Sequence, residues 1–547
     1  MPTTAPSSAK QDSVEMVTTS SSMADEANRP GRILDLHKDF FFHRRTLYCC
    51  AVMSIGGFQF GFDLSAIAGM QAMPGFLQVF GFPDPTAVLG YGIDPTVQQL
   101  INSLMSIGAF VACVSVGPLG NYLSRKWSIV LGIVLNHLGV ILMMVAKDLA
   151  TLYAGRLIIG LANGYLDILP QLYIHETAPA YQRGALLGGF NAFIGVGLLV
   201  GSIAANYTAK IIGKEAYLIP LGLFLVVPSI IGVALPFLPE TPRWLMEHGK
   251  EEKARKAIWR LRNQSTEPEL IEAELEEIRE ALETEKRLSQ GVKIFDLFRK
   301  ANLRRTMLSL ALLLSLSGSG ALFLLGYGTY FFSVAGQTKA FEENVGMTAA
   351  GLVATIFSMW LITKVGRRTV LLFGFASQGI CMIIVAATSE KGMTETIGKV
   401  MVAFTIMYIF FYNLCCAPYL YLVAGEIPSQ RLRGYTLGIA IAISFFFSWL
   451  VSYTAPYFIN PLELNWGPKY GYIWFGSNFI IFVCFYFWIP ETKDRTLEEI
   501  DEMFEDNVPA RKFKGYVCVR AHNAEIVGSQ RVTGDKEGVP AQHLENA

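Results

Sequence analysis

About a dozen apolar stretches of roughly 20 residues run along this chain. Each is long enough to cross a hydrocarbon layer about 30 Å thick. Inside such a layer every backbone amide and carbonyl needs a partner within the protein, and runs of this length meet that need as helices. The sequence therefore predicts an all-α polytopic membrane protein with spans near 47–70, 98–120, 128–147, 151–173, 185–206 and 217–237. A second set follows near 305–333, 346–364, 370–388, 398–424, 435–458 and 471–489. The chain is 52% hydrophobic and 16% charged, with a mean hydropathy of +0.38. A soluble domain carries about 25% charged residues, so composition points the same way.

The chain also says one thing twice. Tyr173-Ile-His-Glu-Thr-Ala-Pro-Ala-Tyr-Gln-Arg-Gly184 and Val423-Ala-Gly-Glu-Ile-Pro-Ser-Gln-Arg-Leu-Arg-Gly434 each close an apolar run with Glu, continue with Pro, and place Arg-Gly seven positions after the Glu. Asn121-Tyr-Leu-Ser-Arg-Lys126 precedes the first copy and Thr363-Lys-Val-Gly-Arg-Arg368 the second. Pro239-Glu240-Thr241 and Pro490-Glu491-Thr492 follow them. Glu176 and Glu240 are 64 positions apart, and Glu426 and Glu491 are 65 apart. Three motifs in one order at matched spacing imply two homologous halves, 46–238 and 304–490, with six helices in each.

Lys and Arg set the orientation. Arg29, Arg32, Lys38, Arg44 and Arg45 precede the first span. Arg125, Lys126, Arg183, Lys364, Arg367, Arg368, Arg431 and Arg433 sit in turns at that same end, whereas the loop from Gln71 to Leu100 has neither residue. By the positive-inside rule both termini are cytoplasmic: a tail at 1–45 and another at 491–547. Between the halves, 239–303 is dense in Glu, Lys and Arg. Ala254, Ile258 and Leu261, then Leu270, Leu275 and Ile278, predict short amphipathic cytoplasmic helices, with a solvated linker equally compatible with the second part. The C-terminal tail starts helical over Leu497–Phe504 and then reads as disordered. Asn206-Tyr-Thr208 is a glycosylation sequon on the outer side, close to the membrane. A formal net charge of zero gives no reason to expect nucleic acid. The eight cysteines form no disulfide framework, no Cys/His cluster has metal-ligand spacing, and no cofactor is expected.

An acid or base in hydrocarbon costs about 2.5–3.5 kcal/mol on insertion scales, so each one asks for a reason. Asp63 stands in span one, within Gly56-Gly-Phe-Gln-Phe-Gly-Phe-Asp63, and Arg156 stands early in span four. A carboxylate whose proton affinity is set by a movable guanidinium can carry a proton. The alternative is a static pair that ties two helices together. Asp167, deeper in span four, is a second such acid, with no partner visible in the sequence. Glu176, Glu240, Glu426 and Glu491, with Arg125, Arg183, Arg367, Arg368 and Arg433, lie at helix ends and are expected to pair as a cytoplasmic gate, formed when the outer side is open. Broken backbone is expected at Pro170, Pro418 and Gly326-Tyr-Gly328.

Gly155-Arg156, Glu176 with Arg183-Gly184, Pro239-Glu-Thr-Pro-Arg-Trp244, Gly366-Arg-Arg368, Glu426 with Arg433-Gly434 and Pro490-Glu-Thr-Lys493 together resemble the sugar porter branch of the major facilitator superfamily. The resemblance covers nearly all the chain between its tails. The second half looks most like the fungal α-glucoside (maltose-type) permeases, through Gly326-Tyr-Gly-Thr-Tyr-Phe-Phe332, Phe411-Tyr-Asn-Leu414, Asn465-Trp-Gly-Pro-Lys469 and Val508-Pro-Ala-Arg-Lys-Phe-Lys514. It implies the superfamily fold, alternating access and, commonly, proton symport across the plasma membrane. Departures fall in the expected pocket. Asn191 replaces a Gln, Leu316, Ser317 and Leu322 replace amides of span seven, Gly351 replaces an Asn and Tyr421 a Trp. Asn121, Ser124 and Thr363 depart in the basic turns. A hexose needs directional hydrogen bonds, and each unmatched buried hydroxyl costs about 1–3 kcal/mol. Asn191, Tyr327, Tyr330, Tyr421 and Trp449 remain as candidate substrate-binding groups, the aromatic ones suited to the apolar faces of a sugar or glycoside. A facilitative uniporter, an exporter of a secondary metabolite and a transport-inactive nutrient sensor are the competing functions.

Overall fold

The computed structural model describes residues 44–85, 90–262, 268–289, 294–390 and 394–518. The expected N-terminal tail, apart from Arg44 and Arg45, lies outside these residues, as does 519–547. Twelve described helices are long and apolar enough to cross a membrane. In chain order, spans one to six are Arg44–Met70, Pro95–Gly120, Arg125–Val145, Leu149–Thr177, Gln182–Thr208 and Glu215–Phe237. Spans seven to twelve are Asn302–Val334, Ala340–Lys364, Arg367–Ser389, Glu395–Glu426, Arg433–Ile459 and Gly467–Trp488. Several start a few residues before their apolar runs, because capping side chains there take up free amides. Asp94 accepts from Thr96 N, Asp148 from Thr151 N and Thr394 Oγ1 from Ile397 N. Among the described residues the only strands are a two-residue ribbon in the loop after span one, pairing Phe82 with Gly92 and Pro83 with Tyr91.

The first six spans form one bundle and the last six another. Span one packs along span five, and span four against spans two and three. In the second half, span nine packs on ten and twelve, span seven on eleven, and span eight on ten. The halves meet where span two lies along eleven, span five along eight, and span one against the far part of seven. Glycines decide how close the helices come. A Cβ on Gly61 would overlap the carbonyl oxygen of Ile194, and one on Gly197 that of Phe58, so spans one and five touch backbone to backbone. Gly108, Gly160 and Gly164 do the same for spans two and four.

The backbone breaks differ from those expected. Span seven is interrupted at Ser319 and Gly320, where Gly320 has φ 93°, and the helix resumes at Ala321. The indole of Trp474 fills the place a Cβ would take at Gly320. Gly326, Tyr327 and Gly328 lie inside the resumed helix, Ala321–Val334. Pro170 sits in an unbroken helix, where Gly56 of span one makes room for its ring. Only Pro418 adjoins an irregularity, the π-helical turn Tyr412–Cys416.

The segment between the halves folds onto the first half. Thr46 Oγ1 donates to Leu261 O (2.8 Å), and Trp244 Nε1 donates to Gly120 O (3.0 Å). Its second part is a helix, Pro268–Ser289, that lays Ile271, Leu275 and Ile278 on Trp244, Leu245, Ala254 and Ile258. Ile271 rather than Leu270 is the buried residue. The C-terminal tail stays folded beyond Phe504, contrary to the disorder expected for 505–518. Helix Leu497–Glu505 opens with a capping box of Thr496 and Glu499, and the chain then turns back to bury Val508 and Phe513. Arg495 Nη2 binds Tyr516 O (2.7 Å), Arg304 Nη1 binds Val508 O (3.0 Å), and Arg305 pairs with Asp501, so the tail clasps the start of span seven. Too few apolar residues mark this clasp for composition to reveal it.

Candidate functional site

Asp63 and Arg156 meet inside the first half. Arg156 Nη1 donates to Asp63 Oδ1 at 2.8 Å, and both side chains are 0% exposed. Asn163, also fully buried, donates from Nδ2 to Asp63 Oδ2 (2.7 Å), and Arg156 Nε donates to Ile101 O (2.9 Å). Arg156 Nη2 and Asn163 Oδ1 are buried without hydrogen-bond partners. Glycines let spans two and four touch backbone to backbone, so side chains of spans one and four meet beside a carbonyl of span two. Asn163 escaped the reading of the sequence. Its signal was an amide two turns after Arg156 on the same face of an otherwise apolar helix.

Hydrogen bonds between the halves gather toward the end away from the basic turns. Asn460 Nδ2 donates to Gln98 Oε1 and to Ile93 O, both at 3.0 Å. Ser202 and Thr348 share a bond of 2.8 Å, Tyr327 OH is shared between Gln98 O (3.2 Å) and Ser452 O (2.8 Å), and Asn102 Nδ2 reaches Gly326 O (3.4 Å). Tyr327 and Tyr330 are buried in this seal, at 1% and 8% exposure, and line no open pocket here.

Nearer the basic end the interior is open. Tyr421 is 54% exposed although its electrostatic neighbours are Asp167 of span four and Cys113 of span two. A side chain exposed between the two halves faces a solvent-accessible cavity. Asn191 is exposed too. On its helix it stands between the row Gly188, Gly195 and Ser202, which meets span eight, and Phe190 and Ile194, which meet span one. It points away from Val200, Ile203 and Tyr207 on the outer surface, so it faces the same interior. Trp449 lines a separate apolar cleft of about 240 Å³ with Ile107, Phe110, Phe445 and Phe446, between spans two and eleven. The five candidate binding residues therefore divide among cavity, seal and cleft.

At the basic end, Arg125 pairs with Glu176 (2.9 Å) and Arg367 with Glu426 (3.5 Å), each within one half. Glu240 and Glu491 occupy equivalent places as acceptors at helix starts. Glu240 accepts from Lys126 N (3.4 Å), and Glu491 from Arg367 N (2.8 Å) and Arg368 N (3.2 Å). A carboxylate there meets free amides and the positive end of the helix dipole. Gly366 has no side chain where the Glu491 carboxylate must approach. Thr492 Oγ1 donates to Glu426 at 2.5 Å. Arg368 binds Tyr486 O (2.7 Å) in place of an acid. Among the described residues, Arg183 and Arg433 make no ion pair, and Arg183 Nε and Arg433 Nε and Nη2 are buried without partners. Asn206 is half-buried in the last helical turn of span five, and Thr208 bonds its own helix at Ala204 O.

Two helical halves sealed at one end, open at the other, and enclosing a buried charge pair define a membrane transporter of the major facilitator type. The model of the Sugar (and other) transporter family matches residues 49–504, and the chain belongs to that family. It is 30% identical to the major facilitator-type transporter ecdD of Aspergillus rugulosus, over 84% of this chain and 87% of that one. It is 27% identical to the low-affinity glucose transporter HXT3 of Saccharomyces cerevisiae, over 86% and 84%. The probable glucose transporter rco-3 of Neurospora crassa is 30% identical, over 83% and 78%. These names are those of glucose transporters and a facilitator-type transporter, not of α-glucoside permeases, so the resemblance of the second half holds only at the level of the wider family. Among solved structures, the fold matches the proton:xylose symporter XylE bound to 6-bromo-6-deoxy-D-glucose, with a TM-score of 0.66 at 20% identity over 84% of this chain and 99% of that one. The inward open conformation of XylE from E. coli also matches at 0.66 and 20% identity, over 83% and 99%. The chain is thus a multi-pass membrane transporter and not an enzyme.

Proposed function

We propose that this protein is a secondary active transporter of the plasma membrane that moves a sugar or glycoside together with a proton by alternating access, its basic end and both termini in the cytoplasm. The observation that carries the reading is the Asp63–Arg156 pair, fully buried and completed by Asn163. Burying an ion pair is weak evidence of stabilisation, because desolvation offsets much of the attraction. A pair kept at that cost, fully buried next to the seal between the halves, has a better use as a proton site. Proton symport in XylE and glucose transport in HXT3, as their names state, support the same assignment.

The solute is read from the cavity. Asn191 and Tyr421 face it, whereas Tyr327 and Tyr330 lie in the seal, where they close over a bound solute. One amide and one aromatic ring facing the cavity, with two more tyrosines in the seal, favour a glycoside, including an α-glucoside, over the most polar hexoses. The test is uptake of a radiolabelled panel, from D-glucose and D-xylose to maltose and an aryl glucoside, in a cell lacking its own sugar transporters. Saturable uptake of at least one is expected. No uptake of any, with normal surface expression, would overturn the sugar assignment and favour an exporter or sensor.

A further inference from the structure

A proton bound at Asp63 must also be able to leave it, and Asp63 is fully buried. Span four carries Asn163, Asp167 and Gln171 at four-residue spacing, which places them in one stripe with steps of about 6 Å along the axis. The first touches Asp63 through Nδ2 and leaves its other polar atom, Oδ1, buried and unpartnered. The last donates from Nε2 to Asp167 O (3.1 Å) and Oδ1 (3.4 Å). Span four ends at the basic turns, so the stripe runs from the buried pair toward the open cavity. Among the described residues no Lys or Arg pairs with Asp167. Cys113 from span two and Tyr421 from span ten are its titratable electrostatic neighbours.

We infer that Asp167 is a second proton station, joined to Asp63 by a water held at Asn163 Oδ1, through which the proton passes between the buried pair and the basic end. The inference rests on the symport reading above. A buried orphan acceptor in a polar site calls for a donor, and a water there has three partners: it donates to Asn163 Oδ1 and the Asp167 carboxylate and accepts from the Asp63 carboxyl. The protonated Asp63 gives its proton to the water, and the water gives one to Asp167. Asp63, ionised again, keeps Arg156, and Asp167 releases the proton to the cavity. No electron moves. Asn163 positions the water and takes no proton itself. A lone carboxylate in a cavity could instead bind an ammonium group on the solute; its place one turn along the same stripe from Asn163, which bonds Asp63, favours the relay.

The test uses the full-length protein in liposomes with radiolabelled D-glucose, and with maltose if glucose is not carried. Exchange of internal for external sugar returns the carrier loaded, so it needs no proton release at the basic end, whereas net uptake does. Asp167→Asn is expected to slow net uptake about tenfold or more, on the scale of a lost proton-transfer group, and exchange far less. Asp167→Glu should restore most net uptake, and Asp167→His should shift its dependence on internal pH. Equal losses of net uptake and exchange, no loss of either, or an altered preference between D-glucose and D-glucosamine with the pH profile intact would each overturn the relay. The wild type is measured first. Insensitivity of its net uptake to a protonophore would overturn the symport reading itself, and the relay with it.

Discussion

Asp63 and Arg156 are unequal partners. A carboxylate stranded in the core can take up a proton and become neutral, whereas a guanidinium stays charged at any accessible pH. Breaking a buried pair from one side costs about 3–5 kcal/mol when a charge is left uncompensated. Asp63→Asn leaves Arg156 stranded, and Arg156→Met leaves an acid that can neutralise itself. Thermal unfolding in detergent should therefore place Asp63→Asn well below Arg156→Met, and the double variant should recover much of the loss. Equal losses from the two single changes would mean that the pair is not the local electrostatic unit described here. The pair itself was legible in the sequence, because a charge in a 20-residue apolar run stands out. Asn163 was not, since an amide carries no formal charge and its part depends on where span one lies. The sequence pattern places Tyr327 and Tyr330 in the pocket. Their place in the seal follows from bonds that Tyr327 and its neighbour Gly326 make to Gln98 and Asn102 in the other half, which no local pattern encodes.

Among the elements, the spans were readable because crossing a bilayer demands length and apolarity together. The break in span seven was not, because Gly320 is needed to make way for Trp474 of span twelve, a partner far along the chain. The tail clasp leaves no mark in the sequence for a related reason: Phe513 finds its burial against Phe504 only after the chain turns back. The expected gate also changes meaning. Arg125–Glu176 and Arg367–Glu426 brace turns inside each half, and both are intact while the far end is sealed. The bonds that distinguish the two open states are those of the seal. Asn460→Ala removes two of them, each contributing about 0.5–1.5 kcal/mol, and should shift the population by roughly tenfold toward opening at the far end. An Asn191→Cys reporter should then label more slowly with a thiol reagent applied from the basic side, whereas Glu426→Gln should leave that rate nearly unchanged. The reverse pattern would return the gate to the glutamates.

At the scale of the molecule, two bundles related by a sequence repeat meet along spans two and eleven, five and eight, and one and seven. Their bonds gather at one end, so a solute reaches the interior from the other, and rocking the bundles would exchange the two ends. The linker helices are fastened to the first half at Thr46 and Gly120, and the tail to the second at Arg304 and Arg305, so each bundle carries its own brace as it moves. The repeat made this organisation visible in the sequence; which end is closed depends on contacts between halves and was not. Coupling of solute movement to a proton gradient is the role proposed for the buried pair. It is tested most directly by accumulation of the transported sugar against its own gradient, at two external pH values, with and without a protonophore. Proton coupling at Asp63 would make accumulation rise as external pH falls and collapse when the protonophore is added. Uptake that only equilibrates, indifferent to both, would contradict it and leave a facilitative carrier with a structural ion pair.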